Sequence, residues 1–389
     1  MNVSVRLVRN IGELTTNDPS LGDGSAMGRI VDAAMVVDED TVVWVGENAQ
    51  APAADEVIDA EGAAVIPGFV DSHTHLVFAG DRADEFEARM AGRHYDGGGI
   101  RRTVESTRAA TTDQLTTSAA RRASELRANG ATTIEVKSGY ELTLEGESRL
   151  LDVAALFSDE VTFLGAHVVP EEFADDRDAY VALVLGAMMD ECAPKARWAD
   201  VFCDRGAFSV DESRAILVAA RDAGLGLRVH GNQLGDTGGV ALAVELDAAS
   251  VDHCTFVRDD DVLALAASDT VATLLPGADF STRSAYPSAR RLLDAGVVVA
   301  LATDCNPGTS YVTNMGFVIA LAVREMGMSV DEALWAATRG GARALRRDDI
   351  GHLSVGARAD FAVLDAPRAA HLAYRPGASL VRSTYRAGE

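Results

Sequence analysis

The sequence is poor in cysteine and in long apolar runs, and both shortages restrict what the protein can be. Its four cysteines, Cys192, Cys203, Cys254 and Cys305, are scattered without paired spacing. This spacing predicts neither a disulfide framework nor a cysteine-type zinc site. No apolar run reaches the ~18 residues that a membrane-spanning helix needs, and the N-terminus does not resemble a secretory signal. We therefore expect a soluble, cytoplasmic protein.

Basic residues are also scarce, since 35 lysines and arginines face 59 acidic residues for a net charge of −24. The acidic residues are spread along the chain, which argues against nucleic acid and anionic membranes as partners. A small anionic substrate would need a local basic anchor. Lys137 and Lys195 are the two lysines, a rarity that we attribute to genome composition.

The order of apolar and polar segments predicts an α/β fold. The first sixty or so residues read as short strands and turns. After Pro67, short apolar runs alternate with longer segments of helical period, which is typical of a parallel sheet. The predicted helices include segments 111–129, 177–191, 210–223 and 314–327.

Strand-like segments number eight, the number that closes a TIM-type barrel. They are 64–71, 132–138, 161–167, 199–204, 225–231, 250–253, 270–277 and 297–304. Strand-like alternation returns at 351–366, so both ends of the chain could form one small sandwich. We predict a TIM-type (β/α)8 barrel over residues 66–348 and a composite β-sandwich domain from residues 1–65 and 349–389.

Histidines collect at the predicted strand ends. His73 and His75 follow strand 1, and further histidines end strands 3, 5 and 6, namely His167, His230 and His253. The carboxyl ends of barrel strands meet at one rim, where catalytic groups gather. Positions i and i+2 of an extended segment point the same way, so His73 and His75 can reach one ion. With His230 and Asp304, they offer three nitrogens, one oxygen and an open position, as catalytic divalent-metal sites do.

The alternative for any one of these histidines is a hydrogen-bonded rim residue without a metal. A lone His-x-His pair is weak evidence, and single strand-end histidines usually have this structural role. Their joint occurrence with Asp304 at the ends of strands 1, 3, 5, 6 and 8 favours a metal site.

Several motifs resemble those of a known enzyme family. "PGFVDSHTH", "ALATD" and "GARADFAVLD" are similar to the amidohydrolase superfamily. More narrowly, "HTHLVFAGDRADEFEAR", "EVKSGYEL", "GAHVVPEE" and "ATDCNPGTSY" resemble the imidazolonepropionase family, nearly end to end. The resemblance implies a barrel with a composite β-sandwich, a homodimer, and hydrolysis of 4-imidazolone-5-propanoate to N-formimidoyl-L-glutamate in L-histidine degradation.

The resemblance also bears on the cofactor. Binuclear members of the superfamily carry a carbamylated lysine at the end of strand 4, whereas this strand ends Phe202-Cys203-Asp204 and the lysine, Lys137, lies on strand 2. We therefore expect one ion, zinc or iron, because three histidines and an aspartate suit both. Lys137 is expected to order the rim or neighbouring carboxylates, and contact with the substrate is the alternative.

The resemblance assigns the catalytic groups to Asp304, His253 and Gln233. Asp304 would take the proton of the attacking water, and His253 would stabilise the oxyanion or share the proton work. Related deaminases have glutamate at the position of Gln233, but a glutamine cannot transfer a proton at neutral pH. We assign Gln233 to orienting the ring amide.

The resemblance further implies substrate-binding residues, beginning with Arg82, whose guanidinium can hold a carboxylate through two hydrogen bonds. The alternative is a solvated Arg82 paired with a nearby acidic residue. The other positions implied are Tyr95, Tyr140, His167, Gln233, Asn306, Gly308 and Thr309. The segment that contains the last three also reads as a Pro-Gly turn before a helix, which is compatible with binding.

Two rival functions stay open. One is another cyclic amidase or a nucleobase deaminase on the same scaffold; the deaminase would have glutamate at position 233 and release ammonia, and this chain has glutamine there. A non-enzymatic paralogue should have lost its ligands, yet His73, His75, His230 and Asp304 are all present.

Overall fold

The structure of the protein is a computed structural model that describes residues 5–92 and 99–388. Within these residues the strands are β1 (Arg6–Thr15), β2 (Arg29–Asp38), β3 (Thr41–Glu47), β4 (Glu56–Asp59), β5 (Ala64–Pro67), β6 (Phe69–Asp71), β7 (Ala131–Ile134), β8 (Val136–Lys137), β9 (Val161–Ala166), β10 (Trp198–Cys203), β11 (Gly226–Gly231), β12 (Ser250–His253), β13 (Val271–Leu274), β14 (Val299–Leu301), β15 (Phe361–Leu364) and β16 (Val381–Tyr385).

Helices alternate with the later strands. They are α1 (Ala83–Met90), α2 (Ile100–Ala109), α3 (Thr112–Ala128), α4 (Leu144–Ala154), α5 (Arg177–Leu183), α6 (Met189–Cys192), α7 (Val210–Asp222), α8 (Gly239–Glu245), α9 (Asp259–Ala266), α10 (Pro276–Thr282), α11 (Ala289–Asp294), α12 (Met315–Glu325), α13 (Val330–Trp335), α14 (Gly341–Ala344) and α15 (His371–Tyr374). None of these helices is long and apolar enough to cross a membrane.

The chain forms two compact units, and the first is built mainly from its two ends. It draws on residues 1–71, 125–133 and 314–389. Its sheet has the order β16-β15-β5-β1-β2-β3, with β4 also paired to β1. Alternate residues such as Met35 and Val37 point inward and share one buried apolar cluster with Phe361. Val8 and Ile11 join the same cluster because the register of β1 shifts between them.

The second unit, residues 72–124 and 134–313, contains a parallel sheet of seven strands in the order β8 to β14. Segment 73–75 joins the two edges of this sheet. Its backbone hydrogen-bonds to Lys137 on one side and to Asp304 and Cys305 on the other, with donor–acceptor distances of 3.0 Å. The predicted α/β fold with a TIM-type barrel is confirmed.

Two predicted strands are interrupted in the structure. The run 64–71 divides at Gly68, so that β5 joins the sheet of β1 while β6 pairs with β7. A side chain at Gly68 would collide with Thr132, which explains the glycine at this crossing. The run 132–138 divides at Glu135, whose side chain is completely buried and accepts a hydrogen bond from Thr74 N.

The four predicted helical segments are confirmed within about two residues. They correspond to α3, α5 with α6, α7 and α12. Helix α7 begins at a capping box, in which Ser209 accepts from Glu212 N and the Glu212 carboxylate accepts from Ser209 N. A π-helical segment, Val184–Met188, joins α5 to α6 where the sequence pattern predicted one continuous helix.

Candidate metal centre and active-site cleft

Four side chains predicted as metal ligands converge at the carboxyl end of the barrel strands. His75 Nε2 lies 3.3 Å from His230 Nε2, and Asp304 Oδ1 lies 3.6 Å from Nε2 of both His73 and His75. All four side chains are buried. Ligand atoms around one tetrahedral ion, at bond lengths of about 2.0–2.2 Å, lie about 3.3–3.6 Å apart. The observed separations therefore fit a single divalent cation.

The protonation of the histidines also fits a cation. Burial lowers the pKa of His73 and of His75 well below the usual value, so both imidazoles are neutral. His73 Nδ1 lies 2.8 Å from a carboxylate oxygen of Asp252, which places the ring hydrogen on Nδ1 and the lone pair on Nε2. Within the described residues, His73 Nε2 is buried without a hydrogen-bond partner. A metal ion would satisfy this lone pair, whose burial is otherwise unfavourable.

Two of the candidate histidine ligands have a carboxylate next to Nδ1, the ring nitrogen that does not face the other ligands. Asp252 Oδ2 contacts His73 Nδ1, and Asp200 Oδ2 lies 2.9 Å from His230 Nδ1. Burial acts to raise the pKa of Asp200, but His230 and Lys137 outweigh it and hold the pKa well below its usual range. Such carboxylate–histidine pairs fix the ring orientation and raise ligand basicity.

Two fully buried cations balance these carboxylates. Lys137 Nζ lies 2.8 Å from Asp200 Oδ2 and 2.9 Å from Glu135 Oε1. Arg228 donates to Ser72 O at 2.6 Å, and its Nη2 lies 3.3 Å from Asp252 Oδ2. Burial alone would lower the pKa of Lys137, but the charges of Asp200 and Glu135 raise it. Both cations therefore stay charged inside the barrel.

His253, predicted as a catalytic residue, lies at the edge of the same cluster. Its ring centroid is 5.8 Å from that of His73 and 5.4 Å from that of His230. One ring nitrogen is close enough to His73 and Asp304 to share an ion with them. His253 and Asp304 have φ values of +80° and +52°, which are uncommon for residues other than glycine and often occur at functional sites.

The cluster opens into a cleft of about 510 Å³, part of which is open solvent. The predicted site residues that line it are His75, Arg82, Tyr140, His167, His230, Gln233, His253, Asp304, Asn306 and Thr309. Gly308 belongs to the same loop as Asn306 and Thr309 but is not among the lining residues. Tyr95, which the sequence also predicted for this site, lies outside the described residues.

Arg82 lines the cleft, as predicted for a substrate-binding residue, and it also pairs with a nearby acidic residue, which was the alternative prediction. Its guanidinium is buried, lines the cleft, and donates to Glu85 Oε2 through Nη2 at 2.7 Å and Nε at 3.0 Å. A side chain at Gly308 would collide with this guanidinium, so the glycine lets the 306–309 loop approach Arg82 closely. The assignment of Arg82 to a substrate carboxylate stays a prediction.

Tyr140 and His167 are placed by a tightly held loop. The carboxylate of Glu147 accepts three backbone hydrogen bonds, from Gly139, Glu141 and Leu142, with distances of 2.7–2.9 Å. His167 Nδ1 lies 2.9 Å from Gly139 O, and burial lowers the His167 pKa to about 3. The imidazole is therefore neutral, donates through Nδ1, and leaves Nε2 as an acceptor.

The loop after Asp304 is closed by the side chain of Asn306. Its Oδ1 accepts from Gly308 N and Thr309 N, each at 2.8 Å, and its Nδ2 donates to Asp304 O at 2.7 Å. The groups predicted as substrate donors are thus bonded within the loop in this structure. The Pro-Gly turn seen in the sequence is present, and binding through this segment stays a prediction.

Gln233 lies in the cleft on a segment that Asp204 holds at the end of β10. Asp204 Oδ2 accepts from Gln233 N at 2.7 Å and from Leu234 N at 2.9 Å. Asp204 thus anchors the backbone of the cleft wall at the end of β10.

Comparison with known proteins gives the family. The model of the Amidohydrolase family matches residues 64–389, most of the chain. The chain belongs to the amidohydrolase family. Among curated relatives, the imidazolonepropionase of Mycolicibacterium smegmatis is 62% identical over 98% of this chain and 96% of its own length. That of Streptomyces griseus is 60% identical over 98% of each chain.

Solved structures of two other enzymes share the fold. A mutant atrazine chlorohydrolase from Arthrobacter aurescens, complexed with zinc and atraton, has a TM-score of 0.74 at 20% identity over 98% of this chain and 94% of its own. An adenosine deaminase from Xanthomonas campestris with bound zinc has a TM-score of 0.73 at 19% identity over 99% and 92%. The family and the ligand cluster together support a divalent metal ion in this amidohydrolase.

The sequence reasoning missed the buried charges behind the ligands of this amidohydrolase, and weak signals for them exist. Asp200, Arg228 and Asp252 lie inside short strands whose residues are almost all buried. Arg228 precedes His230 by two positions, so both point to the same side of β11. A charged residue in a buried parallel strand needs a partner, and this requirement could have identified all three.

Proposed function

We propose that this amidohydrolase hydrolyses the cyclic amide of 4-imidazolone-5-propanoate to N-formimidoyl-L-glutamate in L-histidine degradation. The observation that carries the proposal is the match to curated imidazolonepropionases at about 60% identity over essentially the whole length of both chains. The convergence of His73, His75, His230 and Asp304 supplies the site that such a hydrolysis requires.

In the proposed mechanism, His73, His75, His230 and Asp304 would hold one divalent ion. A divalent ion supplies Lewis acidity that makes water a nucleophile near neutral pH. Asp252 and Asp200 keep the rings of His73 and His230 aimed at the common centre.

Asp304 is the proposed proton carrier. Its carboxylate takes the proton from the attacking water and passes it to the ring nitrogen that leaves when the amide C–N bond breaks. His253 lies beside it in the cleft wall, and burial lowers the pKa of its imidazole well below the usual value. A neutral ring can donate one N–H to the oxygen on which negative charge develops.

The remaining cleft residues are proposed to bind and orient the substrate. Arg82 holds the propionate by charge-assisted hydrogen bonds, which an acidic protein must supply locally. Gln233 hydrogen-bonds the ring amide without exchanging protons with it. The other proposed contacts come from Tyr95, Tyr140, His167, Asn306, Gly308 and Thr309.

We further propose the identity of the ion, the partners and compartment of the protein, its oligomeric state and its domain boundaries. The ion is zinc or iron, because both accept three imidazoles and a carboxylate. With its net charge of −24, the acidic chain is proposed to work without nucleic acid, and its scattered cysteines favour the cytoplasm. The homodimer is proposed only on the resemblance to the imidazolonepropionase family. Its domains are a sandwich of residues 1–65 with 349–389 and a barrel of residues 66–348.

The test is turnover by the zinc- or iron-loaded protein. We expect loss of the ring absorbance of 4-imidazolone-5-propanoate and a product heavier than the substrate by one water. Asp304→Asn should lower kcat by about 10²-fold or more, because it removes the proposed proton carrier. The exposed Asp269→Asn is the matched control and should leave kcat unchanged.

Three outcomes would contradict the proposal. Absence of turnover by the metal-loaded wild type would refute the substrate. Ammonia release without ring opening would favour a deaminase, which is the main rival on this scaffold. Wild-type kcat in Asp304→Asn would remove Asp304 from the proton path.

A further inference from the structure

Lys137 occupies an unusual place for a lysine. It lies at the end of β8, its side chain has no exposed surface, and its ammonium lies between the carboxylates of Glu135 and Asp200 at 2.9 and 2.8 Å. The other lysine of the chain, Lys195, is partly exposed and pairs with Asp152 near the surface. Burying an ammonium carries a large desolvation free energy, which only favourable interactions with its partners can offset. The contacts of Lys137 therefore indicate what its burial achieves.

One partner of Lys137 holds the backbone between two proposed metal ligands. Glu135 Oε2 accepts from Thr74 N at 3.1 Å, and Thr74 Oγ1 donates to Glu135 O at 2.6 Å. On the other side of the same residue, Lys137 N donates to Thr74 O at 3.0 Å. Thr74 separates His73 from His75, so these bonds fix the segment that presents both imidazoles.

The other partner holds the third proposed ligand. Asp200 Oδ1 accepts from His230 N at 3.1 Å, and Asp200 Oδ2 lies 2.9 Å from His230 Nδ1. The same Oδ2 atom is the one that Lys137 contacts. Asp200 therefore holds the backbone of His230 and places a carboxylate oxygen against its ring, while the ammonium lies against the same oxygen.

We propose that Lys137 is a positioning residue that couples the two halves of the ligand set, segment 73–75 through Glu135 and His230 through Asp200. This inference rests on the proposed metal-dependent function and concerns how the ligands are held. Without the ammonium, the buried carboxylates of Glu135 and Asp200 would lose the cation that lies between them. Their mutual repulsion would then displace both side chains.

The experiment compares Lys137→Met with Lys195→Met, because each variant removes one lysine charge and the second leaves the barrel interior untouched. The apparent Kd for Zn²⁺ is measured by chelator competition, and the electronic spectrum of the Co²⁺-loaded protein reports ligand geometry. We expect Lys137→Met to bind Zn²⁺ about tenfold or more weakly and to change the Co²⁺ spectrum. Lys195→Met should match the wild type in both measurements.

A second variant separates positioning from folding. Glu135→Gln with Lys137→Met removes the ammonium together with one carboxylate that it neutralises, so folding should be recovered while the weak Zn²⁺ binding remains. Circular dichroism of the metal-free proteins verifies the fold.

The outcomes that would overturn the inference differ from those that would overturn the proposed function. Wild-type Zn²⁺ affinity and Co²⁺ spectrum in either Lys137 variant would refute the positioning role. Failure of both Lys137 variants to fold would also refute it, since Lys137 would then be a folding requirement. If the wild type itself bound no Zn²⁺, Fe²⁺ or Co²⁺, the proposed metal-dependent function would fall instead.

Discussion

His73 Nδ1 lies 2.8 Å from Asp252 Oδ2, and neither side chain has any exposed surface. The two residues are 179 positions apart in the chain. Asp252 lies on β12 at the position before His253, so a single strand end provides both a support for His73 and a side chain of the cleft wall.

The first prediction concerns this pair. Asp252→Asn should weaken Zn²⁺ binding by about 10- to 100-fold, because the amide oxygen still accepts from His73 Nδ1 but lacks the charge that makes the imidazole more basic. Chelator competition measures the change, with exposed Asp269→Asn as the control. An unchanged Zn²⁺ affinity would show that the carboxylate does not act on the metal site through His73.

The second prediction concerns substrate recognition by Arg82. Arg82→Met should raise KM by about 10- to 100-fold with a smaller effect on kcat, since a charge-assisted pair contributes about 1.5–3 kcal/mol of binding free energy. Arg102→Met is the matched control, because Arg102 also lies near Glu85 but is about half exposed. Equal KM values for Arg82→Met and wild type would exclude Arg82 from carboxylate binding.

The third prediction concerns the loop that carries Tyr140. Glu147→Gln should lower the free energy of unfolding by about 2–3 kcal/mol, because the amide cannot satisfy all three backbone N–H groups that the carboxylate binds. It should also raise KM, since Tyr140 and Gly139 lie in that loop. Urea denaturation and steady-state kinetics measure the two effects.

The control for this loop is Glu145→Gln, an exposed residue in the first turn of the same helix, α4. It should change the free energy of unfolding by no more than about 0.5 kcal/mol. If Glu147→Gln were equally mild and kept the wild-type KM, the carboxylate would not be what shapes the loop.

The fourth prediction is a pH dependence of stability. Burial raises the pKa of Asp279 to about 7, while Thr255 is its hydrogen-bond partner. In the unfolded chain an aspartate has a pKa of about 3.9, so between these values the folded protein binds the extra proton. Stability from this group is therefore lost as the pH rises, by about 2 kcal/mol between pH ~5.5 and ~8.

Asp279→Asn should remove this dependence, because an amide resembles the protonated acid in shape and carries no charge. Relative to wild type, the variant should gain about 2 kcal/mol of unfolding free energy at pH ~8 beyond any difference at pH ~5.5. Urea denaturation at the two pH values measures it, with Asp269→Asn as the control. The same difference from wild type at both pH values would mean that Asp279 titrates normally.

The sequence was most informative about which residues end the strands. Apolar runs of the right length located the strands, and the residue after each run is placed at the rim by the parallel order of the barrel. The sequence alone could therefore predict one metal site from His73, His75, His230 and Asp304. The structure places the ligand atoms of these residues close together. Arg82 could be proposed through family resemblance alone, because its loop follows no periodic pattern.

The pairing of the buried charged residues could not be predicted from the sequence. Asp200 lies opposite Arg228 in the register of β10 and β11, and His230 lies opposite Asp252 in that of β11 and β12. Strand register determines which of these groups meet, and a linear pattern contains no register between strands far apart in the chain.

By itself, the sequence determined the α/β class, the alternation of strand and helix, and the side chains available at the rim, because these follow from local periodicity and chain order. Only the tertiary structure decided which carboxylate stands behind which histidine, that Asn306 closes its own loop, and that Lys137 lies between Glu135 and Asp200. Those contacts join residues from separate strands and loops, and their partners are selected by packing and by the need to neutralise buried charge.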